Sequence, residues 1–177
     1  MIETIHAETG SYQSDFVRLR KDRLQCDPVW LQEMRASAME RFSELGFPTP
    51  RQEEWKYTDA APIRRVSFQN APQDLNDIAP EKLSQFLFSN LQYPQLVFLN
   101  GHYSEQLSSL QGLPSGVEVV SLNQVFRENP ELVREHLAQH ASYDNHAFCA
   151  LNTAFMQDGA WVHIPEGTVV DVPLHLL

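Results

Sequence analysis

The sequence predicts an α+β protein in which a helical region precedes short strands. Three observations lead to this fold class. Apolar residues recur every three or four positions over residues 28–45, which is the spacing of an amphipathic helix. The dipeptide Asn100-Gly101 directly follows the apolar run 95–99, and this is a strong β-hairpin signal. Apolar segments separated by turn residues fill 160–177, as is typical of short strands.

The helical region is predicted to begin after residues 1–10, which we expect to be loose. Asp27 fits the N-cap of the second helix, and Pro28 fits its first helical position. That helix should end at Leu45, because Gly46 suits the left-handed residue that follows many helices. Further helical patterns lie at 80–89, 123–127, 130–140 and 147–157.

Strand patterns alternate with these helices in the second half of the chain. They lie at 65–68, 95–99, 117–122, 160–164, 168–172 and 173–177. We therefore divide the chain into a helical region with a Pro-rich connector (1–90), a small α/β segment (91–157) and a final strand segment (158–177). Short strands joined by Gly turns cannot bury their faces alone. We expect the last segment to be continued by further strands of a longer protein, or completed by a partner.

Composition restricts the classes of function. The chain has 177 residues and a net charge of −10, because 23 acidic side chains outnumber 13 basic ones. An acidic surface repels phosphate backbones, so nucleic-acid binding is not expected. No apolar run approaches the roughly 20 residues of a membrane span, and no signal-peptide pattern is present. Cys26 and Cys149 are too few for a disulfide framework. These features predict a cytoplasmic protein.

The densest group of potential metal ligands is His136, His140, His146 and Cys149. His136 and His140 share a face if their segment is helical, and imidazole and thiolate suit zinc or iron. The alternative is a solvated helix end, whose dipole favours His, followed by a packed Cys. The spacing matches no standard zinc signature. A small metal-binding module or metalloenzyme is therefore our second hypothesis.

No catalytic residue is predicted from the remaining motifs. His102, His163 and His175 are isolated, and the chain has no GxSxG, no P-loop and no GxGxxG sequence. The stretch WVHIPEGTVV is similar to strands of cupins or sugar-nucleotide β-helix enzymes, which is a third hypothesis. Neither the closely spaced His pair of a cupin nor a strict hexapeptide repeat is present.

The stretch RQEEWKYTDAAP, residues 51–62, has two interpretations. It is either a charged and aromatic functional loop or a packing element. In the second interpretation Trp55 and Tyr57 are buried, because each carries a large apolar area with a polar tip. Glu53, Glu54 and Lys56 would then lie outside or pair with one another.

Four motifs follow one another along the chain: RQEEWKYT (51–58), LVFLNGHY (96–103), ALNTAFMQDG (150–159), and WVHIPEG (161–167) followed by VPL (172–174). In this order they resemble motifs of the SufB/SufD family of iron–sulfur cluster assembly proteins. The long N-terminal region that contains WKYT is more similar to SufD than to SufB. We take five motif residues as structural anchors: Trp55, Tyr57, Asn152, Asp158 and Gly159.

The resemblance implies a fold and a role. The chain would be the N-terminal part of a SufD-like scaffold, a helical region and small α/β segment that leads into the first strands of a right-handed parallel β-helix. It would not be an enzyme, and the full-length protein would join SufB-like and SufC-like (ATPase) subunits. The resemblance implies that the iron–sulfur cluster belongs to the full complex, so no metal ligand, cofactor-binding residue or catalytic residue is assigned here. The bare edge of the last strands could also pair with another copy.

Overall fold

The computed structural model describes residues 2–66, 68–71, 80–87 and 93–177. The chain forms two compact units. The first contains residues 1–70 and 129–156, and the second contains residues 71–128 and 157–177. The division into three consecutive segments stays a prediction about domains. Each unit consists of two separate stretches of sequence, because residues 129–156 pack with the N-terminal helices.

The first unit is helical. Its helices are α1 (Ile2–Asp22), α2 (Val29–Leu45), α3 (Ala61–Arg64), α5 (Glu131–Arg134) and α6 (Ala147–Phe155), with a short 3-10 helix at Glu53–Trp55. The main packing is between α2 and α6, and α1 packs on both. The core cluster is Phe16, Ala38, Met39, Phe42, Phe47, Ala150 and Ala154. Because Ala38, Ala150 and Ala154 are fully buried and small, α2 and α6 can approach closely.

The sequence predictions for α2 are confirmed at its C-terminal end and wrong at its N-cap. Gly46 follows Leu45 with a φ of 64°, and its N–H donates to the carbonyl of Phe42 at 2.8 Å. Asp27 does not cap the helix. The residue before the helix is Pro28, and the carboxylate of Asp27 pairs instead with the Arg35 guanidinium two turns along.

Three other helical predictions differ from the structure. Residues 1–10 were expected to be loose, yet α1 begins at Ile2, and Thr9 is fully buried within it. The pattern at 130–140 gives only α5, because the chain turns at Ala138, whose φ is 59°. The pattern at 80–89 gives a 3-10 helix at Pro80–Phe86, and residues 88–89 lie outside the described part.

The described residues of the second unit form α4 (Leu122–Glu128), the 3-10 helices at Pro80–Phe86 and Glu105–Leu107, and six short strands. The strands are β1 (Gln95–Leu96), β2 (Phe98–Leu99), β3 (His102–Tyr103), β4 (Glu118–Ser121), β5 (Ala160–His163) and β6 (His175–Leu176). They form three two-stranded sheets. β2 pairs with β3 and β4 with β5, both antiparallel, whereas β1 pairs with β6 in parallel.

The predicted hairpin is confirmed. Asn100 (φ 48°) and Gly101 (φ 80°) are both left-handed, as a two-residue turn between twisted strands requires. Two strand predictions are wrong for the described residues: 168–172 has no strand, and the 65–68 segment follows α3 as a turn, with Ser67 outside the described part. The expected β-helix stays a prediction.

Candidate functional site

The first motif forms a turn that backbone hydrogen bonds and the Gln52 side chain stabilise. The N–H of Gln52 donates to the carbonyl of Thr49 at 3.0 Å, and the Gln52 side-chain oxygen accepts from the Thr49 N–H at 2.9 Å. The N–H of Trp55 then donates to the Gln52 carbonyl at 2.9 Å, which starts the 3-10 turn. This local network fixes the direction in which Trp55 leaves the backbone.

Trp55 connects the turn to the aromatic core. Its ring lies 5.3 Å from that of Phe148 on α6, and Phe148 lies 6.0 Å from the buried Phe47. Trp55 is half-buried. The burial predicted for Tyr57 is wrong, because Tyr57 is 91% exposed. It lies beyond the 3-10 turn, where the ammonium of Lys56 is 5.5 Å from its ring.

We expect Trp55→Ala to lower the free energy of unfolding by about 1–2 kcal/mol, because it removes a half-buried aromatic contact with Phe148. The matched control is Tyr57→Ala in the same motif, which should change it by less than about 0.5 kcal/mol. Urea denaturation of both variants provides the measurement. Equal losses in the two variants would contradict the assignment of Trp55 as the packing residue.

Charged residues of the same motif lie on the surface beside the start of α6. The Glu54 carboxylate is 3.4 Å from Nδ1 of His146, and the Glu53 carboxylate is 3.9 Å from the Lys56 ammonium. Glu54 and His146 border a cleft of about 490 Å3 that Trp55 also lines. Both side chains are about half exposed or more, so the pair is solvated and contributes little to stability.

A second site lies in the other unit, around the carboxylate of Asp158. This side chain accepts hydrogen bonds from four donors in three parts of the chain. They are the N–H of Tyr103 at 2.8 Å, the hydroxyl of Ser121 at 2.7 Å, the N–H of Asn123 at 3.0 Å and its neighbouring N–H of Gly159 at 2.8 Å. Asp158 therefore joins the end of the hairpin, the end of β4 and the start of α4.

Gly159 and Asn152 have different surroundings. The Gly159 carbonyl accepts from the N–H of Leu122, the first residue of α4, at 2.7 Å. Gly159 therefore adds a second hydrogen-bonded link between residues 158–159 and the start of α4. Asn152 is exposed on α6 and lines a groove of the first unit. Their role as anchors, like that of the other motif residues, stays a prediction.

The residues proposed as metal ligands do not come together. Among the described residues, no group of three His, Cys, Asp or Glu side chains could hold a metal ion. His136 and His140 are exposed, and the segment that carries them forms turns after α5. His146 is beside Glu54, and Cys149 is half-buried on α6. The shared helix face expected for the two histidines is absent because the helix ends at Arg134.

Sequence reasoning missed Arg35, which is 1% exposed on α2. Its guanidinium pairs with the Asp27 carboxylate and donates to the Met156 carbonyl, at the end of α6, at 2.7 Å. A signal was present: Arg35 lies four residues after Leu31 and three before Ala38, on the buried stripe of α2. A charged residue on an apolar stripe requires a buried partner.

In the described ranges, no helix combines the length and the hydropathy that crossing a bilayer would require.

Comparison with known proteins now identifies the class of protein. Residues 8–176 match the model of the SufBD protein N-terminal region. The chain therefore belongs to the SufB/SufD family, and the resemblance drawn from its four motifs is confirmed.

Three relatives illustrate the relationship. An iron–sulfur cluster assembly SufBD family protein of Synechocystis is 32% identical over 143 residues, which cover 81% of this chain and 31% of the relative. The iron–sulfur cluster assembly protein SufD of Bacillus subtilis is 25% identical, over 84% of this chain and 34% of the relative. SufB of the same organism is 22% identical, over 86% and 34%. The chain spans about a third of the length of these relatives.

Proposed function

We propose that this chain is the N-terminal region of a SufD-like scaffold subunit of the SUF iron–sulfur cluster assembly system. The observation that carries the proposal is the family match over residues 8–176. The names of the relatives place them in iron–sulfur cluster assembly. In this proposal the subunit is not an enzyme, it works in the cytoplasm, and the cluster is the cargo of the full complex.

The SufD-like assignment rests on the resemblance of the long, WKYT-containing N-terminal region to SufD. The identities to the SufD and SufB proteins of Bacillus subtilis, 25% and 22%, do not separate the two. The contact of Trp55 with Phe148 supports a packing role for the motif and applies equally to a SufB-like or a SufD-like chain.

A parallel β-helix beyond this region is also part of the proposal. The parallel pair of β1 and β6 supports it, because each turn of such a helix hydrogen-bonds to the next through parallel strands. Apolar side chains also remain exposed in the last strands and turns, where further coils could cover them: Val162, Ile164, Val169 and Leu176.

We expect the full-length protein to co-purify with a tagged SufC-type ATPase and a SufB-type subunit from the same genome. Size-exclusion chromatography with mass measurement would give the composition of the complex. The matched control is the segment 1–177 alone, which should not retain the ATPase, because the resemblance implies that this contact lies in the C-terminal part. Failure of the full-length protein to associate, under conditions where the SufB-type subunit binds the ATPase, would refute the proposal.

A further inference from the structure

An apolar groove of about 390 Å3 opens on the surface of the first unit. Its lining includes the aromatic side chains of Tyr12, Phe148 and Phe155, together with Leu151. These residues pack against the buried core cluster from its outer side. Two of the lining rings contact core rings directly: Tyr12 is 5.6 Å from Phe42, and Phe155 is 5.9 Å from Phe16. The floor of the groove is therefore part of the packed core.

The groove continues into exposed apolar side chains. Ile63 and Phe68 line it, yet they remain 42% and 50% exposed, and Val66 between them is 49% exposed. The chain entering α3, two residues before Ile63, is held by an Asx turn in which the Asp59 carboxylate accepts from the N–H of Ala61 at 2.9 Å. Clustered exposed apolar side chains of this kind mark interaction sites.

The charge at the groove selects the type of occupant. Among the described residues that line it, Asp15 is the only charged one. The Asp15 side chain is 21% exposed and accepts from the Arg18 guanidinium at 2.9 Å, in a pair whose Arg is 61% exposed. Such a surface pair is weak, so a cation from outside can compete for the carboxylate. Burial, and then the charge of Asp15, raise the pKa of Tyr12, so the phenol remains a neutral donor beside this carboxylate.

We propose that this groove, defined by Tyr12, Asp15, Ile63, Phe68, Leu151 and Phe155, docks an amphipathic helical segment of a partner protein that carries a Lys or Arg next to its apolar face. The apolar face would occupy the groove in the way that amphipathic helices bind hydrophobic grooves. The cation would meet Asp15. The net charge of −10 favours a basic segment over an acidic one and over an anionic membrane. This inference rests on the geometry of the first unit and not on the proposed scaffold function.

The test uses the purified full-length protein and ~14-residue fluorescein-labelled helical peptides with Leu or Phe at the i, i+3, i+4 and i+7 positions. One set carries Lys beside the apolar face, and the matched set carries Glu. We expect saturable binding of a Lys peptide, followed by fluorescence anisotropy, and at least about tenfold weaker binding of its Glu counterpart.

Variants of the groove locate the binding. Ile63→Glu and Phe68→Glu should each weaken the Lys peptide at least about tenfold, since both side chains are exposed in the groove. Asp15→Asn should weaken it about three- to tenfold and leave a peptide with norleucine in place of Lys unchanged. Val29→Glu, a matched change at a 70% exposed residue outside the groove lining, should alter binding less than about twofold. Thermal unfolding checks that each variant is folded.

Three results would overturn the proposal. The first is that no Lys peptide binds. The second is that folded Ile63→Glu and Phe68→Glu bind as well as the parent protein. The third is that the protein self-associates in sedimentation experiments and Phe68→Glu abolishes this, which would assign the groove to a second copy of the chain.

Discussion

Asp158→Ala should lower the free energy of unfolding by about 3 kcal/mol. The carboxylate accepts four hydrogen bonds, and hydrogen bonds to a charged group contribute about 1.5–3 kcal/mol each, although such contributions do not add when they share one acceptor. Truncation removes the acceptor that lies 2.8 Å from the N–H of Tyr103 and 3.0 Å from the N–H of Asn123. Water can reach part of this half-buried site, which keeps the loss below the sum of the four bonds.

Two measurements identify the origin of this loss. Urea denaturation gives its size, and native-state hydrogen exchange should show faster exchange at the amides of Tyr103, Asn123 and Gly159. Asp158→Asn should give a smaller loss, because its amide keeps one acceptor oxygen but also brings an NH2 group towards N–H donors.

The control for Asp158 is Asp171→Ala in the same unit. Asp171 is exposed, so its replacement should change stability by less than about 0.5 kcal/mol. A loss below about 1 kcal/mol for Asp158→Ala, with unchanged exchange at the three amides, would show that the carboxylate does not organise this unit.

Local signals in the sequence predicted the elements whose formation is decided locally. The apolar stripe of α2, its end at Gly46 and the Asn100-Gly101 hairpin all depend on residues within a few positions of one another. The predicted strand at 168–172 failed because alternation alone does not provide a pairing partner. The helix predicted at 130–140 stops at Arg134, and the chain then turns through the positive φ of Ala138, which no apolar periodicity reveals.

The candidate sites depend on contacts that no local pattern contains. Asp158 was singled out by its motif, but its partners at Tyr103 and Ser121 are 55 and 37 residues away in sequence. Trp55 and Tyr57 have the same propensity to be buried, and only the position of Phe148 decides between them. The motifs therefore identified the family, while the role of each motif residue required the tertiary structure.

Arg35→Ala is expected to lower the free energy of unfolding by about 3–5 kcal/mol, because removing one partner of a buried ion pair leaves the other uncompensated. The Asp27 carboxylate is 16% exposed, and the Met156 carbonyl would also lose its donor. Urea denaturation of the variant measures the loss. The exposed Arg134, whose guanidinium is 3.2 Å from Glu131, provides the control, and Arg134→Ala should cost less than about 0.5 kcal/mol.

The buried charge of Arg35 itself lowers the stability of the folded chain, so the loss in Arg35→Ala comes from the partners that lose their bonds. Burial lowers the pKa of Arg35 from its ordinary value to about 10, so the guanidinium stays charged at neutral pH. The unfolded chain holds this proton more tightly than the folded chain, so burial of the charge costs stability at neutral pH. That cost would disappear only as the pH rises above about 10 towards the higher pKa of the unfolded chain. The bonds to Asp27 and Met156 reduce this cost.

A double-mutant cycle separates these contributions. Arg35→Met keeps the aliphatic packing of the side chain but leaves the Asp27 carboxylate without its partner. The free energy of unfolding of this variant should therefore be about 3 kcal/mol below that of the parent protein. Adding Asp27→Asn removes the stranded charge and should recover at least about half of that loss, since a pair without charges avoids both desolvation costs. If Arg35→Met alone proved as stable as the parent, the bonds of Arg35 to Asp27 and Met156 would have no part in joining the start of α2 to the end of α6.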